Sequence, residues 1–475
     1  MTAPAVPLRR KILFAAILAV FSAAFLLGAL ELGLRIAGYG HSPQFARRAT
    51  LPSGETIWRE NRWCTAPFFS PQLVRRPQPF RLPAQKAPGT YRVFVLGSSA
   101  AMGDPEPSFS LARMLEAMLS SAYPQQQFEV VNAAITAVNS HVVRGIAADC
   151  AKLEPDLFIV YEGHNEVIGP FGPAGVFTSF VRNEQLVRLA IWLKGTRTGQ
   201  LVSAGARRFS PRGDAANEWG GLQMFLEQQI AQDDPRLAAV RAHFGSNLRA
   251  IAGSAHAAGA RSLLCTVLAN QRDFAPFLSR HRPDLSPDDL ARWEARFASA
   301  RAAERSGDLP EAEARYRDAL RIDDHYAELV FRLGRLVLQS GRRAEARDLL
   351  ARALELDTLR FRADAALNRT VLDLRGAPPP GAEVVDLASS LALRSESGVL
   401  GDEHLYEHVH LTFRGTYEVA RELFVHVSAD LARRRLIAAQ IPEPFSYDEA
   451  RIRLGYTVHE QAMIALELVN RFRAP

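Results

Sequence analysis

The stretch that most restricts the fold of this chain is residues 91–103, YRVFVLGSSAAMG. A short β-branched and aromatic run that stops at glycine and serine predicts a buried parallel strand, and the SFSLARMLEAML that follows predicts a helix. The junction is then a strand-to-helix turn. In an α/β sheet such a turn presents a side chain at the carboxyl edge of the strands, beside the free N–H groups of a helix start, where ligands bind. Ser99 is therefore the candidate nucleophile.

Further strands are predicted at 128–132, 157–161, 261–267 and 383–387, with helices at 110–121, 140–153 and 236–259. This alternation implies a parallel sheet with helices on both faces. Between the fourth and fifth strands lies far more chain than one crossover needs, and that excess contains a repeat. Gly307, Glu311, Ala312, Ala319 and Leu320 recur 34 residues later as Gly341, Glu345, Ala346, Ala353 and Leu354. A period of 34 residues with small side chains where paired helices touch resembles the tetratricopeptide repeat. Leu333-Gly334 in the second unit fits its first-helix pattern, where the first unit has Ala300. Two units cannot bury a core alone, so capping helices are expected from Ser286-Pro287-Asp288-Asp289 and over 364–374. The insert can serve as a groove for a protein partner, or as a spacer or lid for the site.

Residues 12–30 carry no charge, about 28 Å of helix at the usual rise. Arg9, Arg10 and Lys11 precede them, which predicts a cytoplasmic amino end and an exported remainder. The helical pattern continues through Glu31 and Arg35, an i,i+4 pair, and favours an uncleaved signal anchor over a peptide cut near Ser22-Ala23-Ala24. Residues 38–90, rich in Pro and Arg, read as an irregular linker with little core. Residues 176–235, basic at Arg197, Arg207, Arg208 and Arg212, read as loops and short helices near the mouth of the site. The tail is expected to form amphipathic helices at 446–453 and 459–471, with core packing favoured over membrane-surface contact as their role. The division is therefore 1–37 stub and anchor, 38–90 linker, 91–283 and 376–435 the two parts of the α/β domain, 284–375 helical insertion and 436–475 tail.

The net charge of +6 is spread over the chain with no basic stripe, which argues against a nucleic-acid partner. Three cysteines, Cys64, Cys150 and Cys265, lack the spacing of a structural zinc site. An exported chain leaves open a Cys64–Cys150 disulfide or three buried thiols.

Gly97-Ser98-Ser99-Ala100-Ala101-Met102-Gly103 resembles the first block of the SGNH/GDSL hydrolase superfamily, with Ser98 where many members have Asp. Three later pieces follow in the family's order. VVNAA at 130–134 is similar to the block whose final glycine N–H helps bind the oxyanion. Ala134 takes that place and keeps the N–H, but a positive φ there would be strained. YEGHNE at 161–166 resembles the Gly-x-Asn-Asp/Glu block, so the Asn165 amide is expected to donate to the developing charge. EHVHLT at 407–412 resembles the Asp-x-x-His block, with His410 as base, Glu407 as the orienting acid and Asp402 as the fallback acid. His164 and His408 are expected to be structural neighbours.

The resemblance implies a flavodoxin-like three-layer α/β/α SGNH hydrolase domain and a catalytic set of Ser99, His410 and Glu407. The oxyanion hole would comprise Ser99, Ala134 and Asn165. No cofactor or metal is expected. The substrate class would be an acyl ester of a small molecule, lipid or polysaccharide, met on the periplasmic side of a membrane that holds the N-terminal helix. Two rival readings stand beside it. HLYEH at 404–408 fits the H-x-x-E-H pattern of inverzincin metallopeptidases but leaves Ser99 and Asn165 without roles. An inactive SGNH-fold scaffold would instead use its helical repeats to bind a protein in an envelope assembly.

Overall fold

The computed structural model describes residues 8–176, 178–208 and 221–473. The first element, α1 (Leu8–Ile36), buries none of its side chains and is long and apolar enough to cross a membrane. Three short strands follow, β1 (Ala46–Thr50), β2 (Thr56–Glu60) and β3 (Arg81–Pro83), paired antiparallel in that order. Residues 38–90 are thus no irregular linker. They bury Phe45, Ile57, Cys64, Phe68, Phe69, Leu73 and Leu82. Their strands are short and one-sided, with arginines at 47, 48 and 59, so apolar alternation covers too few positions to register as a strand.

The chain then enters β4 (Thr90–Gly97), buried at every position. After it come α2 (Ser99–Met102), α3 (Leu111–Ala122), β5 (Gln127–Asn132), α4 (Ser140–Cys150) and β6 (Leu157–Tyr161). Next are α5 (Glu184–Gly195), α6 (Arg197–Arg208), α7 (Arg236–Ala257) and β7 (Arg261–Cys265). Five helices precede the last strand: α8 (Pro287–Ser306), α9 (Leu309–Ile322), α10 (Ala327–Gln339), α11 (Arg343–Leu356) and α12 (Ala365–Leu372). Then β8 (Ala382–Val385), α13 (Leu387–Arg394), α14 (Phe413–Arg433), α15 (Tyr447–Leu454) and α16 (Val458–Arg473) complete the described chain. Arg212 and part of the 176–235 segment lie outside the described residues.

The main sheet runs β5-β4-β6-β7-β8 with every neighbouring pair parallel. The first strand therefore lies between the second and the third. Connections leave β4 in opposite directions across the sheet, a switch point at whose carboxyl end doubly wound sheets take ligands. Buried aromatics on β4 and β6 hold the two central strands together, Phe94 meeting Phe158 edge to face at 6.0 Å. Arg92 is the one charged residue of β4, and its Nε donates to Glu129 at 2.6 Å.

The insertion folds as two helical hairpins. Ser286 caps α8 by accepting the Asp289 N–H at 3.1 Å. Gly307 and Gly341 close α8 and α10 at φ +80° and +82°. Ala300, Ala312, Ala319 and Ala346 are fully buried. At Gly334 a Cβ would stand 3.0 Å from the Leu350 side chain, so the repeat's glycine is set by how closely α10 and α11 approach. Asp364 caps α12 through the Leu367 N–H at 2.9 Å.

Cys64, Cys150 and Cys265 are free, buried thiols, so the disulfide reading is not met. Burial pushes the Cys64 thiol up to about 12, with the Asp149 carboxylate acting in the same direction. The three behave as small apolar side chains. In the tail, α16 buries Ile464 but leaves Val458, Met463 and Leu466 exposed, so core packing accounts for only one of its faces.

Candidate active site

The turn after β4 is built on a close approach. A Cβ at Gly97 would lie 2.1 Å from the Tyr161 carbonyl oxygen, so only glycine lets β4 end against β6 there. Ser98 is buried and Ser99 opens α2 half-exposed. As the first residue of that helix, Ser99 has a backbone N–H without an intrahelical acceptor. Its carbonyl accepts the N–H groups of Gly103 and Asp104, each at 3.1 Å, and Gly103 takes the left-handed conformation, φ 90°, that ends the turn.

The segment after β5 runs alongside this turn. The Ala133 N–H donates to Val95 at 2.9 Å and the Ile135 N–H to Gly97 at 3.1 Å. Ala134 is not among the non-glycine residues with positive φ, which are Ala137, Glu154, Phe171 and Arg435 among the described residues. The strain expected at Ala134 therefore does not arise. Its N–H faces the Asn132 Oδ1 at 3.3 Å, and Asn132 donates its own amide to Met102 at 2.9 Å. Asn165, in the turn after β6, donates one amide hydrogen to the Val138 carbonyl at 2.8 Å and keeps a second.

His410 comes from a loop closed by the Leu405–Leu411 bridge and by the Thr412 N–H on the His404 carbonyl at 2.9 Å. Thr412 then caps α14, accepting the Gly415 N–H at 2.9 Å. A Cβ at Gly415 would lie 2.1 Å from the His404 carbonyl oxygen, which explains glycine at that place in HLTFRG. Glu407 is buried at the centre of the loop. It accepts the His408 N–H at 2.8 Å and the His410 N–H at 2.9 Å. Its two oxygens also face the Nδ1 atoms of both rings. The Nε2 of His410 stands 3.4 Å from Asp104 Oδ2 and makes no hydrogen bond among the described residues. Burial holds the His410 imidazole down to about 4, with Asp104 pulling it up and Arg471 pushing it further down.

Asp104 thus joins the two halves of the site. Its N–H is bonded to Ser99 and its carboxylate faces His410. Arg471 of α16 holds the same carboxylate, one contact being 3.0 Å long. Neither Asp104 nor Arg471 carries a local sequence signal, since the pairing spans 367 positions. Asp402, the fallback acid, accepts the Asn270 amide at 2.8 Å and makes no ion pair with His410.

The neighbouring histidines have structural partners. His164 accepts the Ala363 N–H at 3.2 Å. His408 packs among Phe274, Phe277 and Phe361. Residues 404–408 are not helical, and His404 turns to Glu418 at 2.9 Å while His408 turns to Glu407. The H-x-x-E-H spacing therefore does not align two imidazoles one helical turn apart, as a zinc site of that type requires. Asp323, Asp324 and His325 gather in the turn between α9 and α10, where His281 and Arg352 hold the carboxylates.

Beneath the site lie two buried carboxyls. Glu162 accepts the Gly163 N–H at 3.0 Å, and Glu166 accepts the Ser140 N–H at 2.8 Å and hydroxyl at 2.7 Å. Burial pushes the Glu166 carboxyl up to about 7. Glu162 is raised by burial and by the charge of Glu166.

A tetratricopeptide-repeat family model matches residues 303–369. The match runs from the last turn of α8 through α9, α10 and α11 into α12, and covers the 34-residue period. Among curated proteins nothing matches the chain. The tetratricopeptide segment is thus the part of the chain assigned by likeness, and such repeats point to protein–protein contact. The remaining assignment rests on the chemistry of the site.

Proposed function

We propose that the chain is a serine esterase or O-acyltransferase of the SGNH type, held at a membrane by α1, with its site on the extracytoplasmic side. The observation that carries this reading is the Glu407–His410 pair, whose Nε2 stands 3.4 Å from Asp104, the residue whose N–H is bonded to the Ser99 carbonyl, at the switch point of a parallel sheet.

In this reaction the Ser99 hydroxyl oxygen attacks the ester carbonyl while His410 Nε2 takes its proton. Glu407 holds the ring by Nδ1 and balances the imidazolium that forms. The oxyanion is met by the Ser99 N–H, the second Asn165 amide hydrogen and the Ala134 N–H. Collapse of the tetrahedral intermediate breaks the ester C–O bond, and His410 returns the proton to the departing alkoxide. Water then releases the acyl group as an acid, or a sugar hydroxyl takes it in transfer. Acyl groups of cell-envelope polysaccharide or lipid suit an anchored enzyme facing away from the cytoplasm, by analogy with the superfamily.

A second reading has its own support. The Ala134 N–H is directed to Asn132, and Asp104 stands in front of the base. A catalytically inert domain that carries the tetratricopeptide segment to a partner would account for both. Labelling of the full-length chain by a fluorophosphonate, with turnover of p-nitrophenyl acetate, separates the two. The enzyme reading expects both activities and their loss in folded Ser99→Ala. Labelling that persists in that variant, or is absent from the wild type, refutes it.

A further inference from the structure

We propose that α5 and α6 form a membrane-interface hairpin, which lies in the headgroup layer of the same bilayer that α1 crosses. The proposal rests on the reading of α1 as a spanning helix.

A surface helix normally turns its apolar stripe to the core and its polar face to water. In α5 the arrangement is reversed. Leu186, Leu189, Trp192 and Leu193 fall on one side of the helix at helical spacing, and all are exposed, Trp192 by 66% and Leu186 by 55%. The opposite side packs on the body: Val187 is buried, and Glu184 and Arg188 share the Ser246 hydroxyl on α7 at 2.9 and 3.1 Å. On α6, Val202 is 65% exposed beside Leu201. A contiguous apolar face left exposed among the described residues marks an interaction surface.

The occupant follows from where this hairpin is tied. Glu31 is the first charged residue after the uncharged run 12–30. In a spanning helix that run fills the hydrocarbon layer, so Glu31 falls at the polar boundary. Its carboxylate accepts the N–H groups of Arg197 and Thr198 at 3.1 and 2.8 Å and the Thr198 hydroxyl at 3.0 Å, satisfying the free donors at the start of α6. The Gln200 amide adds a two-way bond with the His41 backbone, 2.8 Å in each direction. The first turn of α6 is thereby fixed at the depth of Glu31. A Trp-bearing apolar face held at that depth fits the zone between headgroups and acyl chains, where amphipathic helices insert by about 5–10 Å.

The test places one spin label at a time on the full-length chain, at Trp192→Cys, Val202→Cys, Phe21→Cys and Gln339→Cys, in vesicles of phosphatidylcholine with phosphatidylglycerol. The three native thiols are buried and stay unlabelled. Collision with oxygen and with a water-soluble nickel complex reads depth. Labels at 192 and 202 are expected to show a several-fold higher oxygen-to-nickel ratio than 339, below that of 21. If 21 is deep while 192 and 202 match 339, the hairpin proposal falls and the anchor stands. If 21 also matches 339, the spanning reading fails and takes the proposal with it. Labels at 192 and 202 shielded from both reagents mean that a second protein surface covers the face, which overturns the lipid assignment.

Discussion

The Asp104 carboxylate lies 3.4 Å from the Nε2 of His410, the ring nitrogen on the side away from the Glu407 contact at Nδ1. A carboxylate there raises the proton affinity of the imidazole, whereas Arg471, bonded to the same carboxylate, lowers it. Burial outweighs both, so His410 is neutral, and able to accept a proton, at every pH well above about 4.

The pH profile follows from these signs. The acid limb of kcat/KM for an acyl ester should fall near pH 4. Asp104→Asn removes the group that raises the pKa and should move the limb lower. Arg471→Ala removes a cation and should move it higher. Limbs that coincide in wild type and both variants would show that neither charge is felt by the base. Titration of the imidazole by NMR supplies the same comparison without turnover.

Glu166 links stability to pH. Its carboxyl is raised by burial from an ordinary 4.5 to about 7, so the folded state binds the proton more tightly than the unfolded state. Its stabilising contribution is full below about 4.5 and is lost as pH rises through about 7. Glu166→Gln should flatten the fall in Tm between pH 5 and pH 8, read by thermal unfolding at the two values. An unchanged slope would locate the pH response elsewhere.

Arg362 and Asp357 form a buried ion pair at 2.8 Å beside His408. Arg362 also donates to the carbonyls of Asn270 and Phe274 at 2.8 and 2.9 Å. Asp357→Ala leaves a buried cation and should cost about 3–5 kcal/mol in denaturant unfolding, as should Arg362→Ala for the converse reason. The double variant should cost clearly less than the sum of the two.

Gly415→Ala forces a methyl group against the His404 carbonyl, 2.1 Å away before relaxation. The loop that holds Glu407 and His410 must move. A loss of about 1–3 kcal/mol of stability should accompany a fall in kcat larger than any change in KM, and full activity would show that the loop tolerates the shift.

Much of this was legible because its signals are local. Strand β6 is an unbroken apolar run and β4 nearly one, interrupted by Arg92, and the insertion declares itself by period. Glu407, His410 and Gly415 lie within one short segment whose spacing fits the loop and cap they form. What escaped was long-range or inverted. The strands β1 to β3 bury one face over too few residues to show alternation. Asp104 and Arg471 meet only after α16 docks through Ile464. The apolar side of α5 has ordinary helical spacing, so nothing in its pattern tells whether that side turns inward or outward.

The position of the repeats between β7 and β8 has a consequence for biosynthesis. Until the whole tetratricopeptide segment has left the ribosome, β7 remains an edge strand with open hydrogen-bonding groups. His410 lies further along still. Under the proposed serine mechanism the nascent chain would hold the Ser99 hydroxyl without its base, and reactivity would begin only once the final strand has closed the sheet.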